Sequence, residues 1–316
     1  MNPQVHFPKM KTRAIKEYKN AIFRYDYFLK QRGSAVPLLP SHGNLGDYIQ
    51  SLAAYQFFPS KSFLTVDRDS IKKYSGEPVN LIANSWYFLS ENNECFSKNI
   101  NPLLLSIHIQ NNRLSEESIR FFKKYEPVGC RDLATLETFR NYGIKAFFSA
   151  CLTLTLGEKY TAPKNEKKDE VIFVDFDMES LPEKIRISLN NYLKNYNLQQ
   201  VVSLTHTYEL NNLEPMETAE NLLRRYARAK LVITTRIHAA LPCLAMGTTV
   251  ILVKKGAKPD SRYEGLIKFV NFIGYDEYGE FIDHVLTDTN ANIINDTRHI
   301  PYVVELKKTI HEFFNE

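Results

Sequence analysis

Three observations in the sequence predict an α/β protein made of two domains with parallel β-sheets. Short runs of β-branched and apolar residues alternate with amphipathic runs in residues 34–157, and the same alternation restarts in residues 170–316. A polar, charged segment at 158–169 separates the two series and has the composition of a linker. The length of 316 residues also favours two cores over one. Because regular strand–helix alternation favours parallel strands covered by helices, we expect two domains that face each other across a cleft.

The composition narrows the classes of protein and of ligand. Apolar residues make up 44% of the chain and charged residues 24%, which is an ordinary globular balance. The net charge of +4 is mild, whereas nucleic-acid binders concentrate basic charge in one patch, so we expect no nucleic-acid partner. The four cysteines have no C-x-x-C or zinc spacing, so we expect reduced thiols and no metal. The chain has no signal-peptide pattern and no apolar run of transmembrane length, so we expect a soluble, cytoplasmic protein.

Residues 1–33 are predicted to form an N-terminal helical segment, with a helix over 11–32 that ends at Gly33. Apolar residues recur at a spacing of three and four, at Ile15, Tyr18, Ile22, Tyr25 and Leu29. The other face is basic, with Lys11, Lys16, Lys19, Arg24 and Lys30. We interpret this face as a solvated helix surface. The alternative is weak peripheral association with the inner face of the membrane.

Both domains contain further predicted elements. In the first domain, an extended segment at 35–40 leads into a glycine-rich turn at 41–47 and a helix at 48–55. Further strands are predicted at 62–66, 79–84, 103–109, 126–132, 145–148 and 151–156, and helices at 115–125 and 133–142. In the second domain, strands are predicted at 171–175, 199–205, 231–235 and 248–253, and helices at 181–196, 214–229, 237–246 and 302–314.

The glycine-rich turn contains the sequence HGNLGD at 42–47. It matches neither the G-x-G-x-x-G dinucleotide fingerprint nor a P-loop. Gly43 and Gly46 nevertheless allow a ligand to approach the backbone closely. Asp47 fits a helix cap as well as a site residue, and capping is the more common role of such an aspartate.

Basic residues accompany the ends of three predicted strands. Arg131 lies at the end of the strand at 126–132, Arg236 and His238 follow the strand at 231–235, and a basic loop at 254–262 follows the next strand. Ligands bind at the carboxyl ends of parallel strands, and a helix N-terminus there attracts anions. A helix-opening turn also lets Arg236 and His238 flank one small anion. The pattern predicts a polyanion site, although an exposed arginine and a helix-capping histidine fit it too.

Three ordered blocks resemble the polysaccharide pyruvyltransferase family: HGNLGD at 42–47, GCRD at 129–132 and TRIHA at 235–239. The resemblance implies the architecture of B-type glycosyltransferases, in which two Rossmann-like domains face a central cleft, without a metal or other cofactor. It implies phosphoenolpyruvate as the donor substrate. The product would be a pyruvate ketal on two hydroxyls of a sugar, in a capsule, an exopolysaccharide or a lipid-linked oligosaccharide precursor.

The resemblance also implies roles for individual residues. Arg236 and His238 would lie at the donor, with His238 as the general acid, and Arg131 would help to hold the donor. Relatives use a lysine from the loop after the next strand, and here the candidates are Lys254, Lys255 and Lys258, with Arg262 nearby. We favour Lys258 because of its spacing from His238. On the acceptor side, we expect Asn44 or Asp47 to orient or deprotonate a sugar hydroxyl, beside Gly43 and Gly46.

Two other functions fit parts of the sequence. A glycosyltransferase that uses a nucleotide sugar would share the architecture, and Glu209 and Glu217 have the E-x7-E spacing of some retaining enzymes. Pro215 interrupts that stretch, and the pair precedes the strand before Arg236. The other function is that of a non-catalytic scaffold of a glycan-assembly complex. Binding of phosphoenolpyruvate or of a nucleotide sugar distinguishes a pyruvyltransferase from a glycosyltransferase.

Overall fold

The structure, a computed structural model, is a mixed α/β fold with parallel sheets. It describes residues 4–25, 42–87, 95–110, 113–196, 201–209, 214–256, 260–284 and 294–315. The segment predicted to be extended at 35–40 lies outside these residues, as does Lys258. Whether the chain divides into two Rossmann-like domains at 158–169 remains a prediction.

The first part of the chain forms a four-stranded parallel sheet and two small parallel pairs. Its strands are β1 (Lys19–Arg24), β2 (His42–Asn44), β3 (Leu64–Asp67), β4 (Val79–Ile82), β5 (Trp86–Tyr87), β6 (Ile100–Leu103), β7 (His108–Ile109), β8 (Val128–Cys130) and β9 (Ala146–Phe148). Its helices are α1 (Leu45–Tyr55), α2 (Glu116–Tyr125) and α3 (Leu133–Asn141). The sheet has the order β3-β1-β4-β6, while β5 pairs with β7 and β8 with β9.

The second part forms a six-stranded sheet. The strands of this sheet are β10 (Val171–Val174), β11 (Val201–Leu204), β13 (Leu231–Thr234), β14 (Thr249–Lys255), β15 (Asn271–Tyr275) and β16 (Phe281–His284). A further strand of this part, β12 (Thr207–Glu209), lies outside the sheet. Its helices are α4 (Gly157–Tyr160), α5 (Glu183–Tyr192), α6 (Pro215–Arg228), α7 (Ile237–Ala245) and α8 (Ile300–Asn315). The order is β11-β10-β13-β14-β15-β16, parallel except for the last pair. The strand β13 reads LVIT and is buried along its whole length, as expected of a strand covered on both faces.

The predicted helix over 11–32 is wrong in its described part. Residues 11–18 form no helix, and β1 occupies Lys19–Arg24 between β3 and β4. Three consecutive residues of β1, Ala21, Ile22 and Phe23, are buried, so both faces of the strand are covered. A short apolar run of this kind fits a buried strand and a helix segment equally well. The membrane association suggested by that helix therefore loses its structural argument.

Two predicted strands also differ from the structure. The run at 151–156 is a single turn of 3-10 helix at Leu152–Thr155, fully buried, where periodicity could not separate the two forms. The run at 103–109 is split between β6 and β7, because Ser106 between them adopts a positive φ of 60° that ends an extended strand.

The two parts of the chain share a continuous apolar core. One buried cluster includes Leu45 and Ile49 of α1, Val232 of β13 and Leu241 of α7. The short antiparallel pair β2–β12 joins the parts again. This packing fixes the first turn of α1 beside the carboxyl ends of the second sheet. Among the described helices, none has both the length and the apolar character needed to cross a membrane.

Candidate active site

A cavity of about 270 Å³ lies where the first turns of α1 and α7 meet the end of β8. Among the described residues, four arginines and two histidines line it, but only one carboxylate. The lining residues are Asn44, Asp47, Gln50, Arg68, Trp86, Arg131, His206, Arg236, Ile237, His238, Arg262 and Tyr263. Because arginines outnumber carboxylates on the cavity wall, the lining favours a small anionic ligand.

The glycine-rich turn forms one wall because of how α1 begins. Asn44 caps the helix, since its Oδ1 accepts a hydrogen bond from the backbone N–H of Gly46 at 3.0 Å. The backbone N–H of Leu45 donates to the carbonyl of His206 at 2.9 Å. A Cβ on Gly43 would lie 2.3 Å from the ring of Tyr208, so any larger residue here would have to displace that ring. The turn is therefore held against the second sheet rather than free in solution.

Arg131 is buried and held in place at the cavity wall. Its Nη1 donates a hydrogen bond to Gln50 at 3.2 Å, and its Nε lies 3.8 Å from the Asp132 carboxylate. Asp132 in turn caps α3 and contacts Nδ1 of His108 at 2.7 Å. The Arg131 Nε atom has no hydrogen-bond partner among the described residues. A buried donor of this kind is costly unless a ligand satisfies it.

Arg236 and His238 lie where β13 passes into α7. Arg236 is the residue before the first turn of α7, which has no side-chain cap, and its Nε donates to Asp175 at 2.7 Å. In the second sheet, the chain runs from β10 to β11 on one side and to β13 on the other. Such a switch point in strand order is the usual place for a ligand. The uncapped helix N-terminus adds positive potential there.

His238 is buried beside these cations, and its Nε2 has no hydrogen-bond partner among the described residues. Burial lowers the pKa of His238 well below its ordinary value, and the charges of Arg131 and Arg262 lower it further. The imidazole is therefore neutral at pH 7 while the cavity holds no anion. A bound anion would offset the arginine charges and raise this pKa again.

The basic loop contributes Arg262 to the cavity and directs Lys254 elsewhere. Arg262 lies on a 3-10 turn at Ser261–Tyr263 and bonds through Nε to Asp260 at 2.9 Å. Lys254 Nζ lies 4.8 Å from the centre of the Tyr263 ring and lines a neighbouring cavity. Gly43 and Gly46, on either side of Asn44 in the sequence, are not part of the lining. Of the predicted site residues, the cavity lining includes Asn44, Asp47, Arg131, Arg236, His238 and Arg262.

Other lining residues were missed by the sequence reasoning, and Arg68 is the clearest. It follows β3, so the rule that singled out Arg131 and Arg236 makes it a candidate, although the sequence does not show which strand ends meet at this cavity. Its guanidinium lies 4.8 Å from the Tyr25 ring and 5.0 Å from the Trp86 ring, and its Nη1 lies 3.5 Å from Asp47. His206, which follows β11, carries the same signal. No pattern in the sequence pointed to Gln50, Trp86 or Tyr263.

Within the described residues, no group of three or more histidine, cysteine, aspartate or glutamate side chains is placed to hold a metal ion. The four cysteines, Cys95, Cys130, Cys151 and Cys243, form no disulfide in the structure.

The fold and the cavity define an α/β protein with a small cavity, lined by arginines and histidines, at the carboxyl ends of a parallel sheet. Sequence comparison makes this more specific. The sequence profile of polysaccharide pyruvyl transferase matches residues 44–254, more than half of the chain, and the chain belongs to that family. It is thus a transferase of the class that moves pyruvyl groups onto polysaccharide.

Comparison with other proteins adds two distant structures. An uncharacterised protein from Klebsiella pneumoniae subsp. pneumoniae NTUH-K2044 is 15% identical, with a TM-score of 0.45 over 81% of this chain and 92% of that chain. A single-residue variant of the wall teichoic acid polymerase TagF is 11% identical, with a TM-score of 0.34 over 93% of this chain and 83% of that chain. Structural similarity at this level says nothing about the function of the chain. No curated protein matches the chain.

Proposed function

We propose that this protein transfers the pyruvyl group of phosphoenolpyruvate onto two hydroxyls of a sugar, and so forms a pyruvate ketal. The acceptor is a cell-surface polysaccharide, such as a capsule or exopolysaccharide, or its lipid-linked oligosaccharide precursor. One observation carries the proposal: Arg131, Arg236 and Arg262 line the same small cavity as His238, whose buried Nε2 has no hydrogen-bond partner among the described residues. Phosphoenolpyruvate has a carboxylate, a phosphate and a carbon that must be protonated, and these residues match all three needs.

The arginines supply the binding of the donor. A planar guanidinium forms two parallel bonds with a carboxylate or phosphate. Each hydrogen bond to a charged group contributes roughly 1.5–3 kcal/mol. Arg131 is best prepared for this role, because its Gln50 bond fixes the side chain while Nε has no hydrogen-bond partner among the described residues. Arg236 is fixed in the same way by Asp175.

His238 supplies the proton that begins the reaction. Binding of the trianion raises the pKa of His238, so the imidazole takes up a proton and can transfer it to C3 of the enol. This makes C2 electrophilic, and a sugar hydroxyl attacks it. The C2–O bond to phosphate then breaks, and a second hydroxyl attacks C2 to close the ketal. Of the two hydroxyl protons released, one replaces the proton that His238 gave up and one leaves with the phosphate.

The acceptor hydroxyl lies, in this proposal, on the Asp47 side of the cavity. Asp47 provides the only carboxylate of the lining within the described part of the chain, and Asn44 beside it is already engaged in capping α1. A carboxylate there accepts a hydrogen bond from the attacking hydroxyl and orients it. The pair with Arg68 at 3.5 Å holds Asp47 in position.

The size of the cavity weighs against the alternative, a glycosyltransferase that uses a nucleotide sugar. At about 270 Å³ it lies just below the range of small-molecule sites, about 300 to 1,000 Å³. Its cationic lining also suits a compact trianion. A nucleotide sugar would have to extend its base and ribose outside this cavity, for example into the neighbouring one lined by Asp175, Thr235 and Lys254.

Thermal unfolding with phosphoenolpyruvate, UDP-sugars and GDP-sugars tests the proposal. Phosphoenolpyruvate at 100 times its Kd stabilises the protein by about 2.7 kcal/mol. Arg236→Ala should remove this stabilisation. Arg225→Ala is the matched control, because that arginine is exposed on α6 and pairs with Glu170 away from the cavity. Stabilisation by a nucleotide sugar alone would overturn the proposal in favour of the glycosyltransferase.

A further inference from the structure

His206 faces the cavity with a buried nitrogen that the mechanism above does not use. It follows β11, is 1% exposed and lines the cavity with Arg236 and His238. Its Nε2 is buried and has no hydrogen-bond partner among the described residues. A fully buried ring nitrogen at the wall of an anion site needs a ligand to satisfy it.

Tyr226 of α6 determines which ring nitrogen of His206 carries the proton. Its hydroxyl lies 3.2 Å from Nδ1, and the two rings are nearly parallel at 5°. Burial raises the pKa of Tyr226 well above its ordinary value, so the hydroxyl keeps its proton. Among the described residues, Nδ1 of His206 is the hydrogen-bond acceptor available to that hydroxyl. Since a buried hydroxyl proton is costly to leave unpaired, Tyr226 donates to Nδ1, and the His206 proton is on Nε2.

The charge state of His206 differs from that of a general acid. Burial lowers its pKa to about 3, with a further contribution from Arg236, and Asp175 opposes this only in part. The ring therefore stays neutral near pH 7. Its Nε2–H group can donate a hydrogen bond without giving up the proton.

Gly46 keeps the space between the two cavity histidines open. A Cβ at this position would lie 3.0 Å from Nε2 of His206 and 3.1 Å from Cβ of His238. Any side chain here would therefore crowd Nε2 of His206 and the base of His238. Glycine avoids this crowding.

We propose that His206 is a donor-binding residue, whose Nε2–H donates a hydrogen bond to a phosphate or carboxylate oxygen of phosphoenolpyruvate. Tyr226 is its positioning residue and fixes the tautomer. The identity of the ligand rests on the proposed function, whereas the tautomer rests on the contact between Tyr226 and His206 alone.

The tautomer is tested first, in the free full-length protein, by two-bond ¹H–¹⁵N NMR of ¹⁵N-histidine-labelled protein. We expect a protonated Nε2 and an unprotonated Nδ1 for His206. The signals of His206 are assigned as those that disappear from the spectrum of His206→Gln. Tyr226→Phe removes the hydroxyl while preserving the ring, and should change the His206 signals to those of mixed tautomers. Tyr160→Phe, a buried tyrosine outside the cavity, is the control and should leave them unchanged. A proton on Nδ1 in the unmodified protein would overturn the proposal.

Binding of phosphoenolpyruvate by calorimetry is the second test, with a matched pair of variants. In His206→Gln the amide N–H₂ reaches the Nε2 position, whereas in His206→Asn the shorter amide reaches only the Nδ1 position. We expect a Kd within about threefold of the unmodified protein for glutamine and about 10- to 100-fold weaker for asparagine. Equal Kd values for both variants and the unmodified protein would overturn the role of His206 and leave the proposed function intact. Absence of binding by the unmodified protein would overturn both.

Discussion

At the scale of single residues, the cavity contains two buried histidines with different surroundings. His206 is held by a tyrosine hydroxyl at Nδ1, and its pKa is lowered to about 3. The pKa of His238 is also lowered, but partly by Arg131 and Arg262, whose charges a bound anion neutralises. A bound anion would raise both pKa values, because Arg236 also lowers that of His206. In the proposed mechanism, His206 stays neutral and donates a hydrogen bond, whereas His238 takes up and transfers a proton.

Binding of phosphoenolpyruvate at pH 7.5 should therefore be accompanied by proton uptake. His238 is neutral in the free protein and gains a proton as the trianion raises its pKa, so the affinity increases as the pH falls from 8 towards 7. The ligand phosphate, with a second pKa near 6, contributes little at this pH. We expect an uptake of up to one proton per ligand. Calorimetric titrations in two buffers of different ionisation enthalpy measure it directly.

His238→Gln serves as the comparison for this measurement. The variant retains a hydrogen-bonding side chain but cannot bind the proton, so its uptake should fall close to zero. Turnover should decrease by roughly 10²- to 10⁴-fold if His238 is the general acid. Tight binding without proton uptake by the unmodified protein, or near-normal turnover in the variant, would contradict the assignment.

At the scale of elements, the sequence was sufficient wherever a pattern is local. The strand β13 and helices α6 and α7 lie within one or two residues of their predicted bounds, because β-branched runs and helical periodicity are short-range signals. The convergence of Arg131 and Arg236 with His238 was also predictable. The carboxyl ends of parallel strands and the helix N-termini beside them mark such sites in α/β folds.

What the sequence could not supply was the order of strands and their long-range pairing. Arg68 and His206 each follow a correctly predicted strand, but only the position of β3 and β11 relative to their neighbours brings them to the cavity. The pairing of β2 with β12 joins residues far apart in the chain and has no local signature. For the same reason β1 was predicted as a helix: its neighbours in the sheet, not its own sequence, favour the strand.

The start of α1 combines a cap with a site wall, and substitutions of Asn44 separate the two roles. Asn44→Ala removes the cap and should lower the free energy of unfolding by about 0.5–2 kcal/mol, as measured by urea titration. Asn44→Ser and Asn44→Asp both restore a capping oxygen. Both should therefore keep the stability within about 0.5 kcal/mol of the original.

The same two variants should differ in ligand binding. Aspartate at position 44 places a second carboxylate in a cavity that binds an anion, so phosphoenolpyruvate should bind more weakly to Asn44→Asp than to Asn44→Ser. Calorimetry at low and high salt checks this, because the difference should shrink as salt screens the charges. Equal affinities at low salt would mean that Asn44 lies too far from the bound anion to affect it.

At the scale of the whole molecule, the fold brings several arginines to the wall of one small cavity. Carboxylates behind the lining hold several of the arginines: Asp69 for Arg68, Asp132 for Arg131, Asp175 for Arg236 and Asp260 for Arg262. These pairs fix the guanidinium groups without covering the cavity. Such fixed dipoles and charges need little rearrangement when an anion binds, which is the general requirement for electrostatic catalysis.

Acid should destabilise the fold through the same buried histidines, and His206 gives the clearest case. Its folded-state pKa of about 3 lies below the ordinary value of 6.5, so the unfolded chain binds a proton that the folded chain does not. The resulting stability is present above pH 6.5 and is lost as the pH falls towards 3. The expected loss is about 1.4 kcal/mol per pH unit, or about 2 kcal/mol at pH 5.

Urea unfolding of the unmodified protein and His206→Gln between pH 7.5 and 4.5 measures this contribution. Glutamine cannot bind the proton, so the variant should lose less stability between pH 7.5 and 4.5. At pH 5 its loss should be smaller by about 2 kcal/mol, whatever its stability at pH 7.5. The difference between the two slopes isolates His206 from the carboxylates and from the other buried histidines, His108, His238 and His299, which titrate in both proteins. Parallel slopes would mean that His206 is protonated in the folded state at these pH values, and the neutral hydrogen-bond donor assigned to it would then be wrong.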